Sequence, residues 1–105
     1  MDSQKLWYKN YPKNVPHEID ADRYENAVAL LDESFTRFAE NPAYTCMGKT
    51  YTYKQIDELA NAFGAYLQKN LALKAGDRIA IMMPNLLQYP VVLFGAMRAG
   101  LIVVN

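Results

Sequence analysis

Residues 76–105 read GDRIAIMMPNLLQYPVVLFGAMRAGLIVVN, and this stretch decides the fold. Gly76 and Asp77 mark a turn. Ile79 to Met83 are five apolar side chains in succession, without the alternation of a half-exposed strand. Such continuous runs belong to strands covered on both faces, as in parallel sheets. Pro84 ends the run, and Asn85 has the side chain to cap a following helix. Pro90 lacks an N–H and fits only within the first turn of that helix. The helix should reach about Ala99, with Gly100 as its stop, before a second apolar strand over residues 101–104. Strand, helix and strand at this spacing make one βαβ unit and set the fold class as α/β.

The same letters admit a membrane reading. Between residues 86 and 104 only Gln88 and Arg98 are strongly polar, and the length suits a bilayer-crossing helix. Pro90, Gly95, Gly100 and the inserted Arg98 weigh against it, since an arginine at the bilayer centre costs about 2.5–3.5 kcal/mol on insertion scales. A helix followed by a buried strand accounts for the run without that cost.

Upstream, Thr52 and Gln55 have the spacing of a capping box. They open a helix whose apolar stripe is Ile56, Leu59, Ala60, Phe63 and Leu67, ending near Asn70. Before it, residues 43–47 and 50–53 read as two strands joined by a tight turn at Gly48-Lys49. Val28, Leu31, Phe35 and Phe38 recur at helical spacing, which predicts a helix over residues 26–40, stopped at Asn41-Pro42. Residues 1–25, with Trp7, Tyr8, Tyr11, Tyr24, Pro12 and Pro16, show little periodicity and read as an extended N-terminal arm. The domain reading is therefore an arm over 1–25 and a partial α/β subdomain over 26–105. Because the last strand ends with nothing after it to cover its faces, the sequence is expected to be a truncated part of a larger sheet.

Composition narrows the function classes. Apolar residues make up 51% of the 105 and charged residues 21%, a globular balance rather than a disordered one. Eleven basic and eleven acidic side chains cancel, and no basic stripe suggests a nucleic-acid partner. The single Cys46 cannot form an internal disulfide, and the first twenty residues carry no signal core, so a reducing cytoplasm is the expected compartment.

Four stretches together resemble the adenylate-forming superfamily, which activates carboxylates with ATP. They are Tyr51-Thr52-Tyr53-Lys54-Gln55-Ile56, then Leu73 to Ala80 with its Lys74-Ala75-Gly76-Asp77-Arg78 core, then Pro84-Asn85 with Gln88-Tyr89, and finally Arg98-Ala99-Gly100 before Ile102-Val103-Val104-Asn105. Residues 82–90 and the arm (Trp7, Tyr11-Pro12, Val15-Pro16, Glu18-Ile19, Arg23-Tyr24) are similar to the bacterial long-chain fatty acid–CoA ligases in particular. The resemblance implies the incomplete N-terminal part of the large domain of such an enzyme. It also implies ATP, CoA and Mg2+ as cofactors and a fatty acid as substrate, with the acid passing through an acyl-adenylate. A cytoplasmic enzyme in peripheral contact with the inner membrane, and homodimeric through the arm, is implied as well.

The chemistry of that reaction needs parts missing from these residues. No two of the five glycines lie within four positions of each other, so no glycine-rich loop brings backbone amides together around a phosphate. No catalytic, cofactor-binding or metal-ligating residue is assigned, and the isolated chain is expected to be inactive. His17, flanked by Pro16 and Glu18, lacks a suggested partner for general-base work. Cys46 reads as a small core residue, Asp77-Arg78 as a turn entering a strand, and the methionines, Met82, Met83 and Met97 among them, as core filler. Asn85 reads first as a helix cap and second as a ligand contact beyond a strand end. Three other readings remain open on the letters alone: another acyl- or aryl-CoA ligase of the same superfamily, a self-contained binding module gripping a partner with its aromatic arm, and a membrane protein anchored by residues 86–104. An isolated fragment is expected to expose apolar sheet surface and to self-associate.

Overall fold

The computed structural model describes residues 5–105, so the first four residues of the expected arm lie outside it. The elements are a short 3-10 helix (Leu6–Asn10), α1 (Ala27–Arg37), β1 (Pro42–Cys46), β2 (Lys49–Thr52), α2 (Tyr53–Lys69), β3 (Arg78–Ala80), α3 (Gln88–Arg98) and β4 (Ile102–Val104). β1 and β2 form an antiparallel hairpin, and β3 pairs with β4 in parallel. The α/β assignment and the order of helix, hairpin, helix and βαβ unit hold.

Local chemistry explains most boundaries. Asn26 caps α1 by accepting a hydrogen bond from the Ala29 amide at 2.9 Å. The helix ends at Arg37, earlier than the expected Glu40. The carbonyls of Ala39 and Asn41 turn away to accept from the amides of Lys54 and Tyr53, which satisfies two donors at the start of α2. The expected capping box is present: the Gln55 amide donates to the Thr52 hydroxyl at 3.2 Å, and the Thr52 amide donates to the Gln55 side chain at 2.9 Å. Gly100 (φ +79°) closes α3 as a left-handed stop, with its amide bonded to the Met97 carbonyl and the Leu101 amide to the Ala96 carbonyl.

Three expectations are corrected. The hairpin turn is Met47-Gly48 rather than Gly48-Lys49. Both turn residues have positive φ (51° and 81°), as a two-residue hairpin joining the Cys46–Lys49 pair requires. The first parallel strand stops at Ala80 instead of Met83. The Ile81 amide makes one further rung to the Val104 carbonyl at 2.8 Å, after which Met82 is 98% exposed and Pro84 has no N–H to offer. The parallel pair is packed on one face only: Ile79 and Val103 lie against the core, while Ile102 and Val104 are about half exposed. The run over residues 86–104, weighed as a membrane anchor, is α3 plus β4, and no described helix is long and apolar enough to cross a membrane.

The core sits between α2 and α3 and under the parallel pair. Leu67, Ala96, Ala99 and Leu101 form its centre, with Phe63, Leu73, Ile79 and Val103 against them. α1 docks on this layer through Phe35, 4% exposed, whose ring meets those of Tyr53 and Phe94 edge-on. α2 and α3 approach so closely that their backbones touch. A methyl group at Gly95 would lie 2.8 Å from the Ala60 carbonyl oxygen and 3.2 Å from the Gly64 nitrogen, and one at Gly64 would lie 3.0 Å from the Gly95 carbonyl oxygen. Alanine normally stabilises an exposed helix interior over glycine by about 0.5–1 kcal/mol. Here the added carbon meets rigid backbone, so the sign reverses: Gly95→Ala should lower unfolding stability by about 1–3 kcal/mol. Denaturant midpoints of the two proteins check this, and a more stable variant would contradict the contact.

Candidate functional site

Open α/β sheets place ligands beyond the carboxyl ends of their parallel strands. In this chain that position is an open cavity of about 460 Å³ bordered by residues 81–85, Tyr89 and Asn105. The Tyr89 hydroxyl donates to Asn105 Oδ1 at 2.5 Å, tying the first turn of α3 to the end of β4. Asn85 faces this cavity but does not cap the helix. α3 begins at Gln88 behind Leu87, with no side-chain cap, because residues 84–89 are closed by backbone bonds from Leu86 to Pro84 and from Tyr89 to Leu86. The expected capping role of Asn85 is therefore corrected, and its carbonyl instead accepts from the Cys46 thiol at 3.7 Å.

This turn is a poor phosphate cradle. Pro84 and Pro90 have no N–H, and the Tyr89 amide is already bonded within the turn. Among the described residues no group of three or more His, Cys, Asp or Glu side chains could hold a metal ion. This turn does not fit nucleotide phosphates or magnesium, and the strand ends offer the Asn85 side chain, one hydrogen-bonded phenol–amide pair and an apolar wall.

The densest polar constellation lies on the opposite end of α3. Arg98, with a side chain 15% exposed, bonds Asp57 Oδ1 at 2.5 Å, Asp32 Oδ1 at 2.9 Å and Asn61 Oδ1 at 2.7 Å. It also donates to the Asp57 carbonyl at 3.2 Å and lies over the Phe35 ring at 5.1 Å. One guanidinium thus joins α1, α2 and α3, using the planar fork that a lysine lacks. In the sequence Arg98 stands out only as a charge unsuited to a bilayer and as one letter of a motif. Its partners lie 66 and 41 positions upstream, and no local pattern connects them.

Among the remaining singled-out residues the expected core role of the methionines is corrected: Met82 is 98% exposed, Met83 is 39% exposed, and Met97 is half-buried. His17 stacks on Tyr8 (centroids 4.4 Å apart) and meets Tyr11 edge-on, inside a loop closed by a Lys5–Glu18 ion pair. Farther along, Arg23 of the arm pairs with Glu33 of α1 at 3.2 Å, and the Glu33 carboxylate beside Tyr24 holds that phenol above its ordinary pKa. Cys46 is half-buried on β1. Asp77 is a turn residue whose carboxylate accepts from the Lys74 amide at 2.8 Å. Tyr44, on the same strand as Cys46, has its phenol pushed above 10.0, chiefly by burial.

A family model described as AMP-binding enzyme matches residues 31–105. This chain belongs to the AMP-binding enzyme family. The long-chain-fatty-acid–CoA ligase of Salmonella typhimurium is 54% identical over 102 residues, which are 97% of this chain and 18% of that protein. The enzyme of the same name from Bacillus subtilis is 38% identical over 105 residues, 100% of this chain and 18% of that protein. The chain thus spans about a fifth of the length of these curated relatives. Among solved structures, the Klebsiella oxytoca NpsA N-terminal subdomain in complex with 3-hydroxyanthranilyl-AMSN superposes with a TM-score of 0.71 at 27% identity, covering 74% of this chain and 20% of that one. VinN in complex with L-aspartate gives 0.68 at 29% identity, covering 72% and 21%. The resemblance read from the four stretches is borne out, and all four fall inside the matched residues of the AMP-binding family.

The Arg98 network makes its own test. Arg98→Lys keeps the charge but cannot reach three helices at once, and should lower stability by about 1–3 kcal/mol. Asp32→Asn should cost less than Asp57→Asn, because the Asp32 side chain is 59% exposed and that of Asp57 33%. Urea unfolding of the three variants checks the order. Equal stability of Arg98→Lys and the parent would contradict a structural role for the network.

Proposed function

We propose that this chain is the N-terminal part of an ATP-dependent long-chain fatty acid–CoA ligase, contributing framework rather than reacting groups. The single observation that carries the reading is the reach of the likeness. The AMP-binding family match begins at residue 31, whereas the identity to the long-chain ligases extends over 97% of the chain and so through the arm. A feature outside the shared family region but present in one branch supports assignment to that branch.

In the reading proposed, the fatty acid carboxylate attacks the α-phosphorus of ATP, giving acyl-adenylate and pyrophosphate. The thiol of CoA then displaces AMP to form the thioester. Adenylate-forming ligases of this kind use ATP, CoA and Mg2+, and in this reading the groups that bind them lie outside these residues. Residues 1–25 serve as an arm and residues 26–105 as part of the large domain. The whole enzyme works in the cytoplasm, touches the inner membrane where its substrate partitions, and pairs as a homodimer through the arm. Taken alone, the chain self-associates, because Met82, Ile102 and Val104 leave apolar surface beside unpaired strand edges.

Palmitate-dependent exchange of pyrophosphate into ATP tests the reading. The full-length protein carrying this chain should be active, and the 105-residue chain inert. A full-length protein that exchanges with an amino acid or aryl acid but not with palmitate would overturn the branch assignment. Light scattering should find the isolated chain above monomer mass, and a monodisperse monomer would contradict self-association.

A further inference from the structure

The arm and α1 are fastened to the rest of the molecule at few points. Among the described residues none from 5 to 34 is buried, and Phe35 is the first buried side chain along the chain. No backbone hydrogen bond among the described residues joins this segment to anything beyond Phe38. Its own polar contacts turn inward: Lys5 pairs with Glu18, Arg23 with Glu33, and the Thr36 hydroxyl donates to the Asp32 carbonyl at 3.0 Å. Two side chains make the aromatic and charged contacts across the seam. Phe35 sets its ring edge-on against Tyr53 and Phe94, and Asp32 accepts from Arg98 at 2.9 Å.

The far side of the seam is anchored. The Ala39 and Asn41 carbonyls accept from the Lys54 and Tyr53 amides at 2.9 and 3.1 Å, which leaves Phe38 as the hinge. Its φ and ψ (−113° and 25°) already depart from the helix. The Asp32–Arg98 pair can release from one side. The Asp32 side chain is 59% exposed, so water solvates it when it leaves. Arg98, only 15% exposed, keeps Asp57 Oδ1 at 2.5 Å, the Asp57 carbonyl at 3.2 Å and Asn61 Oδ1 at 2.7 Å. No buried charge is stranded, and stranding one is what makes a broken ion pair most costly.

We propose that residues 5–37 open as one unit about Phe38, apart from the α2–α3 core, with the Asp32–Arg98 pair as a latch sensitive to ionic strength. Segments with few buried apolar contacts form such low-stability units. α1 is the arm's anchorage, so the latch governs where the arm lies against the domain. This inference does not depend on the ligase reading.

Amide hydrogen exchange of the full-length protein carrying this chain, followed by peptide mass spectrometry in low concentrations of urea, is the test. Residues 31–38 should exchange at one common rate, at least about tenfold faster than the bonded amides of α2 and α3. Their rate should also depend less on urea, because opening the unit exposes less surface than unfolding the domain. Asp32→Asn should speed exchange over residues 31–38 about threefold, the size expected for an exposed ion pair. Raising sodium chloride from about 50 to about 500 mM should speed the parent by a similar factor and leave Asp32→Asn nearly unchanged. Asp32 is exposed, so the variant's fold can be verified by the unchanged order of rates in α2 and α3. A rate and a urea dependence equal to those of α2 and α3, as would follow if the longer polypeptide packs α1 down, would overturn the separate unit. Faster exchange over residues 31–38 that ignores both Asp32→Asn and salt would overturn the latch.

Discussion

The structure depends on one close approach, the backbone contact of α2 with α3 at Gly64 and Gly95. A single added carbon at Gly95 would stand 2.8 Å from the Ala60 carbonyl oxygen, well inside van der Waals separation. With both side chains reduced to hydrogen, Ala60 and Ala96 become fully buried and Leu67 and Leu101 close the layer beneath them. Interiors packed at this density do not absorb an extra methyl without displacement. The strands contribute less, since the parallel pair has three rungs in register and one packed face.

Fixing α3 on α2 positions everything else. At its C-terminal end it brings Arg98 to Asp57 and Asn61 on one helix and Asp32 on another, so α1 is held by a charge network as well as by Phe35. Beyond Arg98 the left-handed Gly100 turns the chain, and its carbonyl accepts from the Gly76 amide at the entry to β3. At the N-terminal end, the loop before α3 is pressed against the hairpin, where the Cys46 thiol reaches the Asn85 carbonyl and Leu87 is buried. The open cavities beside the hairpin and the cavity at the strand ends all border the loop that leads into this one helix.

Much of this was legible from local signals. Thr52 and Gln55 announced α2 because a capping box is written within four residues, and Gly100 announced the end of α3 for the same reason. The run at residues 79–83 marks a strand entry but is longer than the strand itself, which ends at Ala80. Its hydrophobicity reports the number of faces to be covered, while its length depends on a pairing partner and on Pro84. Asn85 suggests a cap by its residue type, but the backbone turn at Pro84–Leu86 places the helix start at Gln88. The Arg98 network and the Gly64–Gly95 contact were not legible, because each joins residues 31 to 66 positions apart and leaves no periodic mark. The family likeness was legible because it rests on four ordered stretches rather than on any one contact.

The central proposal is that these residues are framework of a longer ligase and supply no reacting group to it. Its most direct test is the kcat of the full-length protein with palmitate after Asn85→Ala and Tyr89→Phe, two of the three polar side chains at the strand ends. A kcat within about threefold of the parent for each variant is the expected result. A loss of the order of a hundredfold, the size typical of removing a general acid or base, would mean that the chemistry reaches into this chain.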